Sequence, residues 1–272
     1  MNDTLLGRET YYPDTYSPEI LFAIPRLHNR ERLGIQEPLP FKGHDLWRAY
    51  EVSWLDARGK PIAMLAEFMV LADSPNIIES KSFKLYLNSL NQKRFNSTEQ
   101  VQLLLATDLS KVAGAQVLVQ LSNLHNIEQF AVCQPEGLCI DTCDVEISVY
   151  EPKPRLLHAN HEQIVEECLY SDLFKSNCPV TAQPDWGTVV IQYHGPQIDR
   201  GALLQYLVSF RQHEGFHEDC TEHVFRDIVQ QCRPEKLKVT IHFLRRGGLE
   251  IVPVRSTQPL IVKFPTPRLI RQ

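Results

Sequence analysis

Residues 78–92, IESKSFKLYLNSLNQ, return in altered form at residues 198–212, IDRGALLQYLVSFRQ. At an offset of 120 residues the two stretches share Ile, Tyr, Leu, Ser and Gln, and Glu79 lies opposite Asp199. Short helices share apolar positions readily, so a chance alignment is the alternative to a true repeat. Because internal repeats define structural units, we interpret the match as a duplication and predict two related modules in one chain.

Both halves of the chain follow the same order of predicted elements: strands, two helices, and further strands. Apolar runs that end at Gly, Pro or Asp set the limits of these elements. In the first half we predict strands at 51–55, 62–71, 115–121 and 139–150 and helices at 83–93 and 98–113. In the second half we predict a strand at 186–193, helices at 202–211 and 220–232, and a hairpin of strands 238–244 and 249–254. The predicted fold class is α+β.

Changes in composition divide the chain into three predicted parts. Residues 1–40 are rich in Pro, Tyr and Arg, and we predict an ordered N-terminal extension there. The first module then covers 41–150 and the second covers 151–272, joined at the proline-containing linker 151–155. The extension is predicted to be ordered because it contains large apolar side chains that are costly to expose, namely Tyr11, Tyr12, Tyr16, Leu21 and Phe22.

The composition favours a soluble cytoplasmic protein. The chain has 272 residues, 43% of them hydrophobic and 22% charged, and a net charge of -5, which disfavours a nucleic-acid or anionic-membrane partner held by bulk electrostatics. No charge-free apolar run approaches the roughly 18 residues of a membrane helix, and the first residues lack the features of a secretory signal. Seven scattered cysteines without such a signal indicate free thiols in a reducing compartment.

A cysteine and a carboxylate share one short loop in the second half. Cys178 precedes Pro179, and Pro184 precedes Asp185; each proline favours an extended conformation in the residue before it. A thiol and a carboxylate held on one rigid loop can act as a nucleophile and its proton donor. The alternative is a buried packing cysteine near a helix-capping aspartate, because free cysteines are among the most buried residues.

A second polar cluster, Phe216-His217-Glu218-Asp219-Cys220, lies further along the same half. The Glu218 carboxylate could accept two parallel N–H bonds, as presented by the ring N–H and exocyclic amine of a guanine-type base. His217 could donate or relay a proton near neutral pH. The alternative is an ordinary helix start, where acidic residues are common.

Two cationic segments could hold phosphate. Glu79-Ser80-Lys81-Ser82-Phe83-Lys84 opens a predicted helix, where backbone N–H groups and ammonium charges favour anions. Arg245-Arg246-Gly247-Gly248 could form a second clamp, although two glycines alone explain a hairpin turn. Neither a dinucleotide-binding G-x-G-x-x-G nor a P-loop motif occurs.

Cys133, Cys139 and Cys143 lack C-x-x-C spacing and a following His, so we predict no metal site.

The polar groups of the second half are not repeated in the first. If one functional site is built from both halves, each half is expected to carry polar residues that the other lacks. Ordinary sequence drift after duplication would give the same difference. At the offset of 120, Arg58 and Leu65 lie opposite Cys178 and Asp185. With one residue inserted so that Phe95 meets Phe216, Asn96 and Ser97 lie opposite His217 and Glu218.

Three segments together resemble one known family. They are the 177–185 loop with its C-P and Q-P-D steps, the E-S-K-S-x-K-L-Y string at 79–86, and the F-H-E-D-C string at 216–220. Over essentially its whole length the chain is similar to the long, two-module NADPH-dependent 7-cyano-7-deazaguanine reductases. That family makes 7-aminomethyl-7-deazaguanine for the queuosine modification of tRNA.

The resemblance implies a fold and an assembly. Members have the tunnelling fold (T-fold), in which ββααββ modules join their antiparallel sheets into a barrel of strands with the helices outside. The long form carries the E-S-K-S string in its first module and the Cys, Asp and His-Glu residues in its second, and this sequence shows that split. A homodimer is expected, because two modules supply only part of a closed barrel.

The resemblance also implies roles for individual residues. Cys178 would attack the nitrile carbon as a thiolate to give a covalent thioimide, and Asp185 would protonate the nitrogen. An ionised Asp185 would raise the pKa of a nearby thiol, so Asp185 is either protonated at rest or takes the thiol proton and returns it. The implied substrate-binding residues are Ile78, Glu79, Ser80, His217 and Glu218, and the implied NADPH-binding residues are Ser80, Lys81, Arg246 and Gly247.

Three other classes of protein remain open from the sequence. A pterin-forming cyclohydrolase of the same fold would need zinc held by Cys and His. A thiol hydrolase would use Cys178 with His194, His213 or His217. A non-catalytic pterin- or purine-binding protein would leave the cysteine without a chemical role.

Overall fold

The structure, a computed structural model, describes residues 12–125, 131–261, 264 and 268–272. Eight strands form one sheet in the order β5-β3-β2-β10-β9-β8-β7-β6. All neighbours in it are antiparallel except β6 and β7. Its strands are β2 (Lys42–Leu55), β3 (Pro61–Leu71), β5 (Val117–Asn123), β6 (Leu138–Cys139), β7 (Ala159–Asn177), β8 (Pro184–Ile198), β9 (Lys236–Phe243) and β10 (Leu249–Ser256).

Among the residues that the structure describes, five α-helices and a two-stranded sheet accompany this large sheet. The small sheet pairs β1 (Ala23–Pro25) with β4 (Asn76–Ile78), so part of the N-terminal extension is tied to the first half. The helices are α1 (Leu27–Leu33), α2 (Ser80–Asn88), α3 (Thr98–Ala113), α4 (Arg200–Val208) and α5 (His217–Cys232). Within the described residues no helix is long and apolar enough to cross a membrane.

The last strand of the chain joins the two halves. β10 pairs with β2 along its whole length, from Leu249 opposite Ala49 to Ser256 opposite Lys42, and its far end also pairs with β9. One apolar cluster lies beneath α2 and α3 and includes Ile251 of β10. The other lies beneath α4 and α5 and includes Phe41 at the start of β2. Each core therefore contains residues of both halves.

The repeat is visible in the structure, with a corrected alignment. α3 and α5 have 16 residues each and begin at Thr98 and His217, so the offset here is 119 residues. Tyr86 of α2 and Tyr206 of α4 donate hydrogen bonds to equivalent partners, Asp108 of α3 and Asp227 of α5. The prediction that Asn96 and Ser97 lie opposite His217 and Glu218 was wrong, since the one-residue insertion was placed in the wrong direction. The equivalent positions are Thr98 and Glu99.

Most predicted elements agree with the structure to within a few residues, and the α3 limits of 98–113 are the same. The strand predicted at 139–150 is wrong: only Leu138–Cys139 pairs, with β7, and 140–150 forms no strand. β7, which has 19 residues, was missed because its first part is largely exposed and polar, so it shows no apolar alternation.

The N-terminal extension is only partly buried. Tyr16 and Leu21 pack against the first apolar cluster, whereas Tyr12 is 67% exposed and Phe22 is 61% exposed. The expectation that these side chains are all covered was therefore wrong for Tyr12 and Phe22, and Tyr11 lies outside the described residues.

A buried ionic cluster lies between the two apolar clusters. Arg255 of β10 contacts Asp45 Oδ1 of β2 at 2.8 Å and Glu222 Oε1 of α5 at 2.9 Å. Arg26 contacts the same aspartate at 2.5 Å, and Arg30 of α1 contacts the same glutamate at 2.8 Å. Every side chain in this cluster is at most 8% exposed. The cluster therefore ties the extension, the first half and the second half to one another.

Replacing Glu222 by Gln should destabilise the protein strongly. The change leaves Arg30 and Arg255 buried with too little negative charge, and breaking a buried pair in this way costs roughly 3–5 kcal/mol. Urea unfolding followed by circular dichroism measures the free energy of unfolding. The control is Glu162→Gln, since Glu162 is exposed. Equal stability of the two variants would contradict the importance of this cluster.

Candidate active site

A cleft between the two halves contains most of the candidate residues. It is lined from the first half by the end of β4 and the start of α2, and from the second half by the β7–β8 loop, the start of α5 and the turn between β9 and β10. Its lining residues are Trp47, Ile77, Ile78, Glu79, Ser80, Cys178, Pro179, Asp185, Gly215, Phe216, His217, Glu218, Arg246 and Ile251.

Cys178 lies in the turn that connects β7 to β8. The turn is closed by two backbone hydrogen bonds, from Cys178 N–H to the Gln183 carbonyl and from Ala182 N–H to the Cys178 carbonyl, both 2.9 Å long. Ala182 has a φ of 56°, a left-handed conformation that is uncommon for residues other than glycine. The thiol is thus held on a tightly folded turn, as the two prolines predicted.

The surroundings of Cys178 favour its ionised form. Burial alone would raise the pKa of the thiol. Hydrogen bonding by the Thr181 hydroxyl, by the backbone N–H groups of Val180 and Thr181, and by the Arg246 guanidinium lowers the pKa of the thiol overall. Hydrogen bonds to a charged group stabilise that charge.

Asp185 is the second residue of β8 and is 3% exposed. Arg246 donates a hydrogen bond to its Oδ1 atom, and His217 Nε2 lies 3.3 Å from the same atom. Burial alone would raise the pKa of Asp185, but contact with His217 and Arg246 lowers it overall. Of the two states considered for Asp185 from the sequence, the geometry favours the ionised one in the ligand-free site.

His217 and Glu218 form the first turn of α5. The His217 ring stacks on Phe243 at a centroid distance of 4.1 Å, which fixes its orientation toward Asp185. Glu218 is 3% exposed, and burial, followed by repulsion from Asp45, raises its pKa to about 7. A ligand with two N–H donors would lower the pKa of this carboxyl again, because the donors stabilise the carboxylate form.

Glu79 follows β4 directly and caps α2. Its carboxylate accepts hydrogen bonds from the N–H groups of Lys81 and Ser82 at 2.8 and 2.6 Å. This arrangement explains why Glu precedes the helix. It also places Ile78 and Ser80 at the wall of the cleft opposite Cys178.

A second cavity of about 510 Å³ opens next to the cleft. Lys81 and Lys84, one turn apart on α2, line it together with Gly247. Gly247 has a φ of 58°, and a Cβ atom added there would lie 3.0 Å from Lys84 Cδ. The glycine therefore leaves room for the lysine side chain. The cavity is suited to an anionic ligand.

All ten predicted site residues line one of the two cavities. Lys81 and Gly247 line the lysine-rich cavity, and the other eight line the cleft. Lys84 and Gly248 belong to the two segments predicted to hold phosphate, and both line the lysine-rich cavity. Sequence reasoning missed the polar residues Glu51, Ser53, Asn88 and Asn91 of this cavity, which carried no distinctive pattern. In the described ranges no three His, Cys, Asp or Glu side chains are grouped as metal ligands.

Three similar proteins each carry the name NADPH-dependent 7-cyano-7-deazaguanine reductase. The one from Azoarcus sp. (strain BH72) is 52% identical over 93% of this chain and 90% of its own length. Those from Burkholderia multivorans and Chromohalobacter salexigens are also 52% identical, over 94% and 98% of this chain and 94% and 96% of their own lengths. A solved archaeosine synthase, QueF-Like, has a TM-score of 0.31 at 20% identity over 36% of this chain and 96% of its own, a likeness too low to bear on the fold.

The cleft, with a thiol beside a carboxylate, is of the kind found in enzymes with a cysteine nucleophile. Residues 12–121 match the family model described as "Nitrile reductase, 7-cyano-7-deazaguanine-reductase N-term", and residues 184–260 match the one described as "QueF-like protein". The chain belongs to the family of NADPH-dependent 7-cyano-7-deazaguanine reductases.

Replacing Glu218 by Gln should stabilise the protein at about pH 8. The pKa of Glu218 rises from an ordinary 4.5 to about 7 on folding, so its contribution to stability is complete below about pH 4.5 and is lost as the pH rises through 7. The variant, which carries no charge there, should be more stable than the wild type by about 1–3 kcal/mol at pH 8, at 1.36 kcal/mol per pKa unit.

Near pH 4 the two proteins should be equally stable. Urea unfolding at both pH values measures the difference, with Glu162→Gln as the exposed control. An identical pH dependence in the wild type and the Glu218 variant would contradict a buried neutral carboxyl.

Proposed function

We propose that this protein reduces the nitrile of 7-cyano-7-deazaguanine to the primary amine of 7-aminomethyl-7-deazaguanine with NADPH, in the queuosine pathway of tRNA modification. The observation that carries the proposal is the closed cleft in which Cys178 and Asp185 face the Glu79–Ser80 segment of the other half. The names of the relatives supply the substrate and the cofactor.

Cys178 is the proposed nucleophile. Its sulfur forms a bond to the nitrile carbon, one π bond of the C≡N group breaks, and the nitrogen takes up a proton to give a thioimide. A nitrile is a poor hydride acceptor, whereas a protonated C=N is a good one, so the covalent step prepares the carbon for reduction. Asp185, ionised at rest, is proposed to take the proton of the Cys178 thiol and to return it to this nitrogen, and His217 lies 3.3 Å from it.

Glu218 is the proposed contact for the pyrimidine edge of the substrate. Its carboxylate would accept the ring N–H and the exocyclic amine in parallel. Binding would draw Glu218 into its charged form, since both partners are donors. Ile78, Glu79 and Ser80 would border the same ring from the first half.

The lysine-lined cavity is the proposed NADPH site. Lys81 and Lys84 would hold phosphate, and Ser80, Arg246 and Gly247 would contact the part of the cofactor that reaches the cleft. NADPH supplies hydride, and a nitrile requires two of them to become an amine. Cys178 would hold the carbon through the first hydride transfer; the C–S bond would then break, releasing the thiolate, and the resulting C=N would accept the second hydride.

Two tandem T-fold modules and a homodimer complete the proposal. We take 1–40 as an extension, 41–150 as the first module and 151–272 as the second. The sheet supports a dimer through its open sides: among the described residues β5 has one neighbouring strand, and β7 pairs with β6 at only two positions. Such edges invite further strands, and a second copy could close the barrel. A cytoplasmic location without direct nucleic-acid or membrane contact agrees with seven free cysteines.

Replacing Cys178 by Ala should abolish reduction, lowering the rate by roughly a thousandfold or more because no covalent intermediate can form. The assay is the loss of NADPH absorbance on adding the nitrile, with two NADPH oxidised per amine formed. Intact-mass spectrometry without NADPH should show an adduct on the wild type that is absent from the variant. An adduct on the variant would show that the nucleophile is another residue. A cyclohydrolase of the same fold would instead leave NADPH unchanged and contain zinc.

Light scattering during size-exclusion chromatography should give twice the chain mass of 31.3 kDa. The expected cause is pairing of β5 of one copy with β7 of the other. A mass of one chain at micromolar concentration would contradict the dimer, and it would leave the proposed reaction untouched, since the cleft is built from a single chain.

A further inference from the structure

The N-terminal extension runs along α2 in the direction opposite to that of the helix. At the start of α2 the Phe22 N–H donates to Ser82 Oγ at 3.1 Å, and the Phe22 carbonyl accepts from the Glu79 N–H at 2.9 Å. At the end of the helix, Asn88 Nδ2 donates to the Pro13 carbonyl at 3.3 Å. The extension therefore brings Pro13 to the C-terminal end of α2.

Two further contacts fix the middle of the extension. The Tyr16 hydroxyl donates to Asp108 Oδ2 of α3 at 2.6 Å. The Ser17 N–H donates at 3.2 Å to Oγ of Ser89, the residue that follows α2. These contacts hold the backbone on the C-terminal side of Tyr12, so the place of Tyr12 beside α2 is set by its neighbours.

Tyr12 lines the lysine-rich cavity, although it is 67% exposed. Among the described residues it is the one aromatic side chain of that lining, and it does not line the cleft. The apolar residues of the same lining are Ala49, Leu85, Leu87 and Leu249. Because most of the surface of Tyr12 has no protein cover, a flat ligand ring could stack on it.

The lining of this cavity changes in character along α2, which has nine residues and is therefore about 14 Å long. Ser80 lines the cleft at the start of the helix, Lys81 and Lys84 line the cavity further along, and Asn88 lines it at the last residue. NADPH carries its phosphates between two flat rings. With the nicotinamide at the cleft and phosphate at the lysines, the adenine is left for the end of the cavity at which Tyr12 lies.

We propose that the adenine ring of NADPH stacks on Tyr12, which the contacts between the extension and α2 hold at the end of the cavity. The inference rests on the proposed function of this cavity as the NADPH site. Stacking on an aromatic side chain uses only the flat face of the base. Because the adenine is remote from the reacting carbon, the contact strengthens binding and leaves the chemical step alone.

The test is the affinity of the full chain for NADPH and for 2′,5′-ADP, which is the adenosine part of the cofactor. Isothermal titration calorimetry without the nitrile measures both. Tyr12→Ala should weaken both by about five- to a hundredfold, the size expected for removing one base–aromatic stack. Tyr12→Phe should bind nearly as the wild type does, since it keeps the ring. In turnover the loss should appear in KM for NADPH rather than in kcat.

Phe22→Ala is the matched control. Phe22 lies on the same extension and is 61% exposed, but it lines neither cavity, so its removal should leave both affinities unchanged. Urea unfolding of the Tyr12 and Phe22 variants should match that of the wild type, because neither change removes a buried side chain.

Two results would overturn the inference alone and leave the proposed function standing. One is equal affinity of the wild type and Tyr12→Ala for 2′,5′-ADP. The other is a wild type that binds NADPH but not 2′,5′-ADP. A wild type that binds no NADPH would instead overturn the proposed function together with the inference.

Discussion

The ion pair between Arg255 and Glu222 is the contact on which the geometry of the cleft depends. Arg255 lies on β10, the strand that joins the two halves, and Glu222 lies on α5, whose first turn forms one wall of the cleft. Asp45 and Arg26 extend the same cluster to β2 and the N-terminal extension. Buried charges are costly unless each is paired, so the halves can pack only in the register that pairs them.

The same cluster influences the chemistry of the first turn of α5. Glu218 and Asp219 are buried near its charges, and burial, with repulsion from neighbouring carboxylates, raises the pKa of each to about 7. Three guanidinium groups and two carboxylates give the cluster a net positive charge. Glu218 can balance this charge when a bound ligand draws it into its ionised form. Burial is the main cause of the raised pKa of Glu218, and the cluster adds two opposing effects: Asp45 raises this pKa and Arg26 lowers it.

Much of the fold and of the candidate site could be predicted from the sequence where local patterns determine the structure. Features that depend on contacts between distant residues could not be predicted. The limits of α3 were predicted from its helical periodicity and the turn residues beside it. Cys178 and Asp185 were chosen as candidates because they are reactive residue types on one short, rigid segment. β7 could not be predicted, because much of it lies at the edge of the sheet with exposed polar side chains. The segment 139–150 alternates like a strand but pairs only at its start. Whether a segment pairs depends on strands that are distant in the sequence, which the local pattern does not show. The grouping of cleft residues from both halves likewise depends on how β10 joins β2, which no local pattern records.

The short turn between β9 and β10 serves both cavities. Arg246 reaches Asp185 in the cleft, while the adjacent Gly247 lines the lysine-rich cavity. Because the two residues are adjacent in the chain, a change in the backbone of this turn would move the lining of one cavity and the counter-charge of Asp185 in the other.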